Sequence, residues 1–264
     1  MRRVLTALAL ILALPMLLGG ALWAGQERLI FIPDPRVIAA PLGWERATIR
    51  TADGLDLAFL VTPPPPGGPV VLHFHGNGGN AEDRTGLGTL LRRAGFGVVL
   101  AEYRGYGGNP GRPGEAAIAA DAGALFDWTR ARFPGAPMML WGESLGSGAV
   151  TRLAEGRSDI AAIVLESPFT SVRDLAAGMY PWLPTEMLLR HPFESLSRMP
   201  RIAAPVLVVA SEDDRITPPS HARRMAEAAR DGRLVMLRGG AHPAVLNDAS
   251  GEGVRAVLAF LRGP

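Results

Sequence analysis

Gly142-Glu143-Ser144-Leu145-Gly146 reads G-x-S-x-G. To its left, Pro137-Met138-Met139-Leu140-Trp141 is a short apolar run with the length of a buried strand. To its right, Leu145 to Ala154 is rich in glycine and alanine, which suits a helix packed close to a sheet. Strand, sharp turn and helix are the context of a nucleophile elbow. The turn forces Ser144 into a strained backbone conformation, and small neighbours keep the helix clear of the strand. The expected outcome is a serine hydroxyl exposed at the carboxyl edge of a sheet. In a chain with 32 glycines the same pattern also arises as an ordinary turn, so the reading depends on its partners.

Around the elbow, strand-like and helix-like segments alternate. Ala47 to Arg50 and Leu55 to Thr62 read as a hairpin joined through Asp53-Gly54. Val70 to Phe74 is a continuous apolar run, as expected of a strand covered on both faces. Gly97 to Glu102, Ile160 to Leu165, Val206 to Ala210 and Leu234 to Leu237 supply further strands. Helical patterns cover Ala81 to Ala94, Glu115 to Arg132, His221 to Ala229 and Glu252 to Leu261. The alternation predicts an α/β domain with a mostly parallel sheet of about eight strands and helices on both faces. Ser167 to Arg201 is the one long irregular stretch. Its Tyr180, Trp182, Leu183, Met187 and Leu188, set between prolines, suit a small cap over the strand ends.

The 264 residues suit one such domain, and a net charge of +2 with no long basic run argues against a nucleic-acid partner. There is no cysteine and no lysine, which removes disulfides, thiolate nucleophiles, thiolate metal sites and Schiff-base chemistry. Arg2-Arg3 precedes an uncharged stretch of 21 residues, Val4 to Ala24. That is long enough to cross a hydrocarbon core of about 30 Å as a helix, with the amino terminus in the cytoplasm and the domain outside. The expected organisation is therefore an anchor or signal segment over 1–25 and a catalytic domain over 26–264, with the cap at 167–201. Signal cleavage near Gly19 to Ala21, giving a secreted or periplasmic protein, is the alternative. Gln26 to Pro41 reads as an extended neck, able to reach about 55 Å when fully stretched.

A serine nucleophile needs a base and the base needs an orienting carboxylate. Of five histidines, His242 follows Gly239-Gly240-Ala241 after the last strand, at the sheet's carboxyl edge, where a base can reach Ser144. His73, His75, His191 and His221 read as structural or surface residues. The acid is expected in Ser211-Glu212-Asp213-Asp214, after the strand Val206 to Ala210, where Asp213 and Asp214 are adjacent candidates and either gives the chain order serine, acid, histidine. Two backbone donors are needed for the oxyanion. Leu145 N–H at the start of the elbow helix is one, and Asn77 N–H in the turn His75-Gly76-Asn77-Gly78-Gly79-Asn80 is the other. That turn lacks a P-loop lysine and a dinucleotide spacing.

Together these residues resemble the α/β-hydrolase superfamily, over about Gln26 to the end. Within it the chain is similar to the single-span, bud-emergence-protein-like group, relatives of the abhydrolase-domain lipid hydrolases and depalmitoylases. The matching pieces include Arg28-Leu29-Ile30-Phe31-Ile32-Pro33, the His75 to Asn80 turn, Tyr103-Arg104-Gly105-Tyr106-Gly107, the elbow, Glu166-Ser167-Pro168-Phe169-Thr170, Asp214-Arg215-Ile216-Thr217-Pro218 and His242. In this group the acid stands four residues before a proline, which selects Asp214 over Asp213. Two positions depart from the pattern: Ser211 stands where the family has glycine, and Pro243 where it commonly has asparagine. The resemblance implies an α/β-hydrolase fold behind an N-terminal transmembrane helix. It also implies a membrane-anchored serine hydrolase of carboxylic esters or thioesters, needing no cofactor and no metal. Tyr180 and Trp182 of the cap are the candidate contacts for a small or lipid-like acyl substrate. An amidase or peptidase, and a non-catalytic binding protein on the same fold, remain alternatives. Acyl length, leaving group and oligomeric state are left open.

Overall fold

A computed structural model describes residues 17–182 and 184–263. Eight strands form one sheet in the order β1-β2-β4-β3-β5-β6-β7-β8. They are β1 (Glu45–Arg50), β2 (Asp56–Thr62), β3 (Val70–Phe74), β4 (Gly97–Ala101), β5 (Met138–Glu143), β6 (Ala162–Glu166), β7 (Val206–Ser211) and β8 (Gly232–Leu237). β2 is antiparallel to both its neighbours and every other pairing is parallel. All residues of β3 to β7 are buried, which is why their sequences are apolar runs without alternation. The exposed edge strand β1 alternates instead.

Successive residues of a strand serve opposite faces. Leu72 and Leu140 join the core beneath α3 (Glu115–Arg132), α4 (Leu145–Ala154) and α7 (Pro219–Ala228), whereas Val71 and Trp141 join the core beneath α2 (Thr85–Arg93) and α8 (Glu252–Leu261). Each fully buried aliphatic side chain of this kind contributes about 1.5–3 kcal/mol. The helix expected over 81–94 is split into a 3-10 turn, Glu82–Arg84, and α2.

Strand order places the site. From β3 the chain moves outward to β4, then crosses back to β5 on the other side of β3. The loops after β3 and β5 therefore leave the sheet in opposite directions and open a crevice at their carboxyl ends, where Phe74 pairs with Gly142. Here α4 lies close against the sheet because two glycines leave room. A Cβ on Gly146 would stand 2.1 Å from the Phe74 carbonyl oxygen, and one on Gly142 would stand 2.6 Å from the Gly146 oxygen. Both obstacles are backbone. Gly146→Ala is expected to destabilise the fold by about 3 kcal/mol or more, lowering Tm by roughly 6–12 °C. Gly123→Ala, in open space on α3, is the control and should be neutral or stabilising by up to about 1 kcal/mol. Equal melting of the two variants would show that α4 can back away from β3.

The amino-terminal region departs from expectation. The segment Val4 to Ala24 lies mostly outside the described residues, and among the described residues no helix is long and apolar enough to cross a membrane. What is seen is a helix, α1, over 17–30, so the expected extended neck begins as helix. No proline stands between Leu17 and Ile32, Gly19, Gly20 and Gly25 are accommodated within the helix, and it stops ahead of Pro33. The remainder is not a free tether either. Phe31 and Ile38 are buried, Ile38 N–H donates to Gly107 O at 3.1 Å, and Gly107 N–H donates to Asp34 O at 2.8 Å. Burying these apolar anchors outweighs solvating an extended linker, so the 55 Å reach does not apply.

Between β6 and β7, where a cap was expected, the chain forms α5 (Val172–Met179), α6 (Thr185–Leu188) and a 3-10 turn, Leu196–Arg201. Ser171 caps α5 by accepting the Asp174 N–H at 2.9 Å. Leu183 lies outside the described residues.

Candidate active site

Ser144 sits between β5 and α4 with φ 49° and ψ −112°. The strain is sustained because its N–H donates to Glu166 O at 2.9 Å and its carbonyl accepts from Ser147, through N–H at 2.8 Å and Oγ at 2.6 Å. His242 Nε2 lies 2.8 Å from Ser144 Oγ, and His242 Nδ1 lies 2.8 Å from Asp214 Oδ2. Residues far apart in sequence are thus brought into one hydrogen-bonded line.

The carboxylate of Asp214 is buried and well supplied with donors. Oδ1 accepts the N–H groups of Ile216 and Thr217, both at 2.9 Å, and Oδ2 accepts the Thr217 hydroxyl at 2.9 Å. Burial acts to raise this carboxyl, but the His242 and Thr217 hydrogen bonds outweigh it and hold it down at about 2. An ionised Asp214 only accepts, so Nδ1 of His242 carries the proton and Nε2 presents its lone pair to Ser144. The arrangement can therefore take a proton from the serine hydroxyl. Asp213 is exposed, its N–H held by Ser211 Oγ at 3.1 Å. The departure Ser211 has work of its own: its hydroxyl lies 3.0 and 2.7 Å from the Gly239 and Gly240 carbonyl oxygens, joining the acid loop to the histidine loop.

Glu166 anchors the other side of that loop. Its Oε1 accepts the Val245 N–H at 2.7 Å and its Oε2 accepts Trp141 Nε1–H at 3.0 Å. Burial, then the nearby Glu143 carboxylate, push Glu166 upward against these donors. Glu143, the variable residue of the elbow, is bound by Arg84 through Nε at 2.7 Å and Nη2 at 2.6 Å. Burial acts to raise Glu143, but the guanidinium wins and holds it below the usual range.

The other histidines occupy structural places. His75 is buried, with Nε2 3.0 Å from Glu102 Oε1 and its carbonyl receiving the Tyr103 hydroxyl at 2.7 Å. Burial pushes His73 down to about 3, so it is neutral although Glu143 lies 4.0 Å away. His191 packs edge-on against Phe31, and His221 meets the Thr170 hydroxyl at 2.8 Å.

Ser144 and His242 open into a cavity of ≈ 530 Å³. Leu145 and Asn77 line it beside Ser144, and neither backbone N–H donates to another protein group among the described residues. The Asn77 side chain donates to Ile30 O at the end of α1, at 2.9 Å. Tyr180 lines the cavity. Trp182, expected beside it, does not: it stands outward on the turn after α5, its ring edge-on to Tyr180 with centroids 6.4 Å apart. The larger surprise is α1, whose Leu22, Trp23, Leu29 and Ile30 form one wall, facing Leu175 and Met179 of α5. Gln26 joins α1 to α6 and the residues after it. It is buried, donates from Nε2 to Leu188 O at 2.9 Å and accepts the Arg190 N–H at 2.7 Å. Sequence reasoning missed this wall because an apolar stretch read as an anchor carries no sign of also packing on the domain. Thr217 was findable, since an Asp followed three residues later by Thr is a local turn pattern.

Comparison with known proteins agrees with this fold. A family model described as serine aminopeptidase, S33, matches residues 66–193, and one described as TAP-like protein matches 188–264. The chain is 39% identical over 231 residues to the uncharacterized protein Rv2307c of Mycobacterium tuberculosis, covering 84% of this chain and 82% of that protein. It is 33% identical over 184 residues to the lysophosphatidylserine lipase ABHD12 of Rattus norvegicus, covering 62% of this chain and 46% of that protein, so it spans about half of that relative. Among solved structures, the esterase Pf2001 of Pyrococcus furiosus superposes with a TM-score of 0.71 at 19% identity, covering 87% of this chain and 98% of the other.

Proposed function

We propose that this chain, which belongs to the α/β-hydrolase superfamily and is a serine hydrolase of the esterase and lipase kind, cleaves single-chain acyl esters or thioesters through Ser144, His242 and Asp214. Ser144 Oγ attacks the acyl carbon as His242 Nε2 takes the hydroxyl proton. The N–H groups of Leu145 and Asn77 hold the oxyanion of the tetrahedral intermediate. The intermediate collapses to an acyl-enzyme as His242 returns the proton to the leaving alcohol or thiol. Water, deprotonated by His242, then attacks the acyl carbon, and the carboxylic acid leaves with Ser144 restored. Asp214 fixes the tautomer and stabilises the imidazolium throughout.

The observation that carries this reading is the hydrogen-bonded serine, histidine and aspartate at the floor of a mostly apolar cavity. A volume of ≈ 530 Å³ suits a small or single-chain substrate. The name of the ABHD12 relative places lysophospholipids among the substrates to try. The description of the aminopeptidase family model favours a second reading, cleavage of a peptide from its amino end. That chemistry needs a free carboxylate to seat the substrate ammonium. The carboxylate lining this cavity, Glu143, is already engaged by Arg84.

The proposal includes the finer kinship with the single-span, bud-emergence-protein-like group. It also places the part of Val4 to Ala24 that precedes Leu22 in a membrane with the domain on its non-cytoplasmic side, Leu22 and Trp23 staying in the cavity wall. Carbonate-washed membranes should retain the whole chain, and a soluble product starting near Leu22 would mean cleavage instead.

Substrate choice is tested with p-nitrophenyl esters of increasing acyl length. Each methylene buried against α1 and α5 contributes about 0.8 kcal/mol, roughly fourfold in kcat/KM, until the cavity is full. Leu175→Trp, which fills the cavity from α5, should move the optimum to shorter chains. An acetyl optimum indifferent to Leu175→Trp, or a preference for amides, would overturn the ester reading.

A further inference from the structure

The cavity of Ser144 is rimmed by apolar side chains that water also reaches. Trp23 and Leu29 of α1, Met179 and Tyr180 at the end of α5, and Ile216 all line the cavity and are all exposed. A side chain that does both stands at the mouth. Beyond the rim the apolar surface continues. Leu18 lies one turn before Leu22 on α1, Trp182 stands edge-on to Tyr180, and Met187 of α6 is 85% exposed. Gly19 of α1 faces Leu188, with a Cβ there 3.9 Å from Leu188 Cδ1, so α1 and α6 meet along a seam. Burying such a collar on the domain itself would hide the mouth, and leaving it in water is costly for a patch this continuous.

We infer that this collar is a lipid-docking surface, which seats the mouth of the Ser144 cavity on the bilayer so that acyl substrates enter from the membrane. The inference rests on the reading of this cavity as the hydrolytic site and of the amino-terminal segment as the anchor. Two observations select a bilayer over another occupant. The sequence leading into α1, Val4 to Met16, carries no charge, so the rim is continuous with the stretch of chain suited to hydrocarbon. The collar also carries Trp23, Tyr180 and Trp182, whose rings favour the boundary between headgroups and acyl chains. Arg190, whose guanidinium lies 4.9 Å from the Trp23 ring centroid, places a cation at the same level. A surface of this kind sits about 5–10 Å into the boundary layer.

The absence of cysteine makes the test direct. Single substitutions Leu29→Cys and Met187→Cys on the collar, and Ser158→Cys, exposed just ahead of β6 at the amino ends of the strands, are labelled with bimane. Each full chain is reconstituted into phosphatidylcholine vesicles and quenched with brominated acyl chains. The expected result is flotation with the vesicles and severalfold stronger quenching at 29 and 187 than at 158. Met187→Glu is also expected to lower kcat/KM for a long-chain ester carried in the vesicles by about tenfold, while hydrolysis of a water-soluble acetyl ester is unchanged. Flotation with collar labels quenched no more than the label at 158 would overturn the docking surface and leave the anchor standing. Failure to float would overturn the anchor, and the docking surface with it. Collar labels shielded from lipid and cross-linked between copies would assign the surface to a second copy of the chain. Fluorophosphonate labelling of Ser144, retained in the variants at 187 and 158, separates these outcomes from failure of the hydrolytic site.

Discussion

Ser144→Ala is expected to abolish fluorophosphonate labelling and to lower ester turnover by about 10⁶, the scale of removing the nucleophile from a comparable triad. The variant should remain folded. Alanine is no worse suited than serine to φ 49°, and the hydrogen bonds that hold the elbow are made by backbone groups and by Ser147. Ser147 cannot stand in, because its buried hydroxyl is committed to the Ser144 carbonyl and faces no base. Turnover that survives this substitution would remove Ser144 from the chemistry. A wild-type chain that neither labels nor turns over esters would support a binding protein on a hydrolase fold.

The second large effect separates two neighbouring carboxylates. Asp214→Asn is expected to lower kcat by about 10⁴, the cost of the wrong imidazole tautomer. The amide nitrogen has nowhere suitable to point, since both positions of the carboxylate already receive donors, from Ile216 and Thr217 on one oxygen and from Thr217 and His242 on the other. Turned toward His242, it pushes the proton from Nδ1 to Nε2, where the base should be empty. Asp213→Asn changes an exposed side chain and should leave kcat within about a factor of 2–3. Side-by-side kcat values decide it, and a crippled Asp213 variant would move the acid by one residue.

Much of the site was legible because its parts obey strong local constraints. A strand covered on both faces has to be an uninterrupted apolar run, so β3, β4, β5, β6 and β7 announced themselves to within two residues. The bounds of α3, α4 and α8 were read to the residue. The elbow was legible for a steric reason: Gly142 and Gly146 stand where backbone leaves no room for a Cβ. Ser144 and His242 were expected from their places after two strands, and Asp214 over Asp213 from the spacing to Pro218 that the resemblance supplies. What escaped reading was made by contacts between distant segments. Prolines 181, 184 and 192 disguised the short helices α5 and α6 as loop. Glu166 and Glu143 gave no hint that they brace the histidine loop and the turn after β3, because a buried carboxylate looks like any other in sequence. The part of α1 that lines the cavity was hidden by the anchor-like composition that made the segment conspicuous.

The joint between α1 and α6 has a property that follows from the atom at its centre. Gln26 is a neutral amide, and its partners are the Leu188 and Trp23 carbonyls and the Arg190 N–H. None of these groups titrates between strong acid and strong alkali, and none is weakened by dissolved ions. The ion pair just outside it, Arg190 with Glu27 at 3.3 Å, is half-exposed and is screened by salt. A brine would therefore loosen the outer clasp and leave the inner one closed. The wall that α1 lends to the cavity keeps its shape at high salt, and the contour of the cavity does not depend on ionic strength.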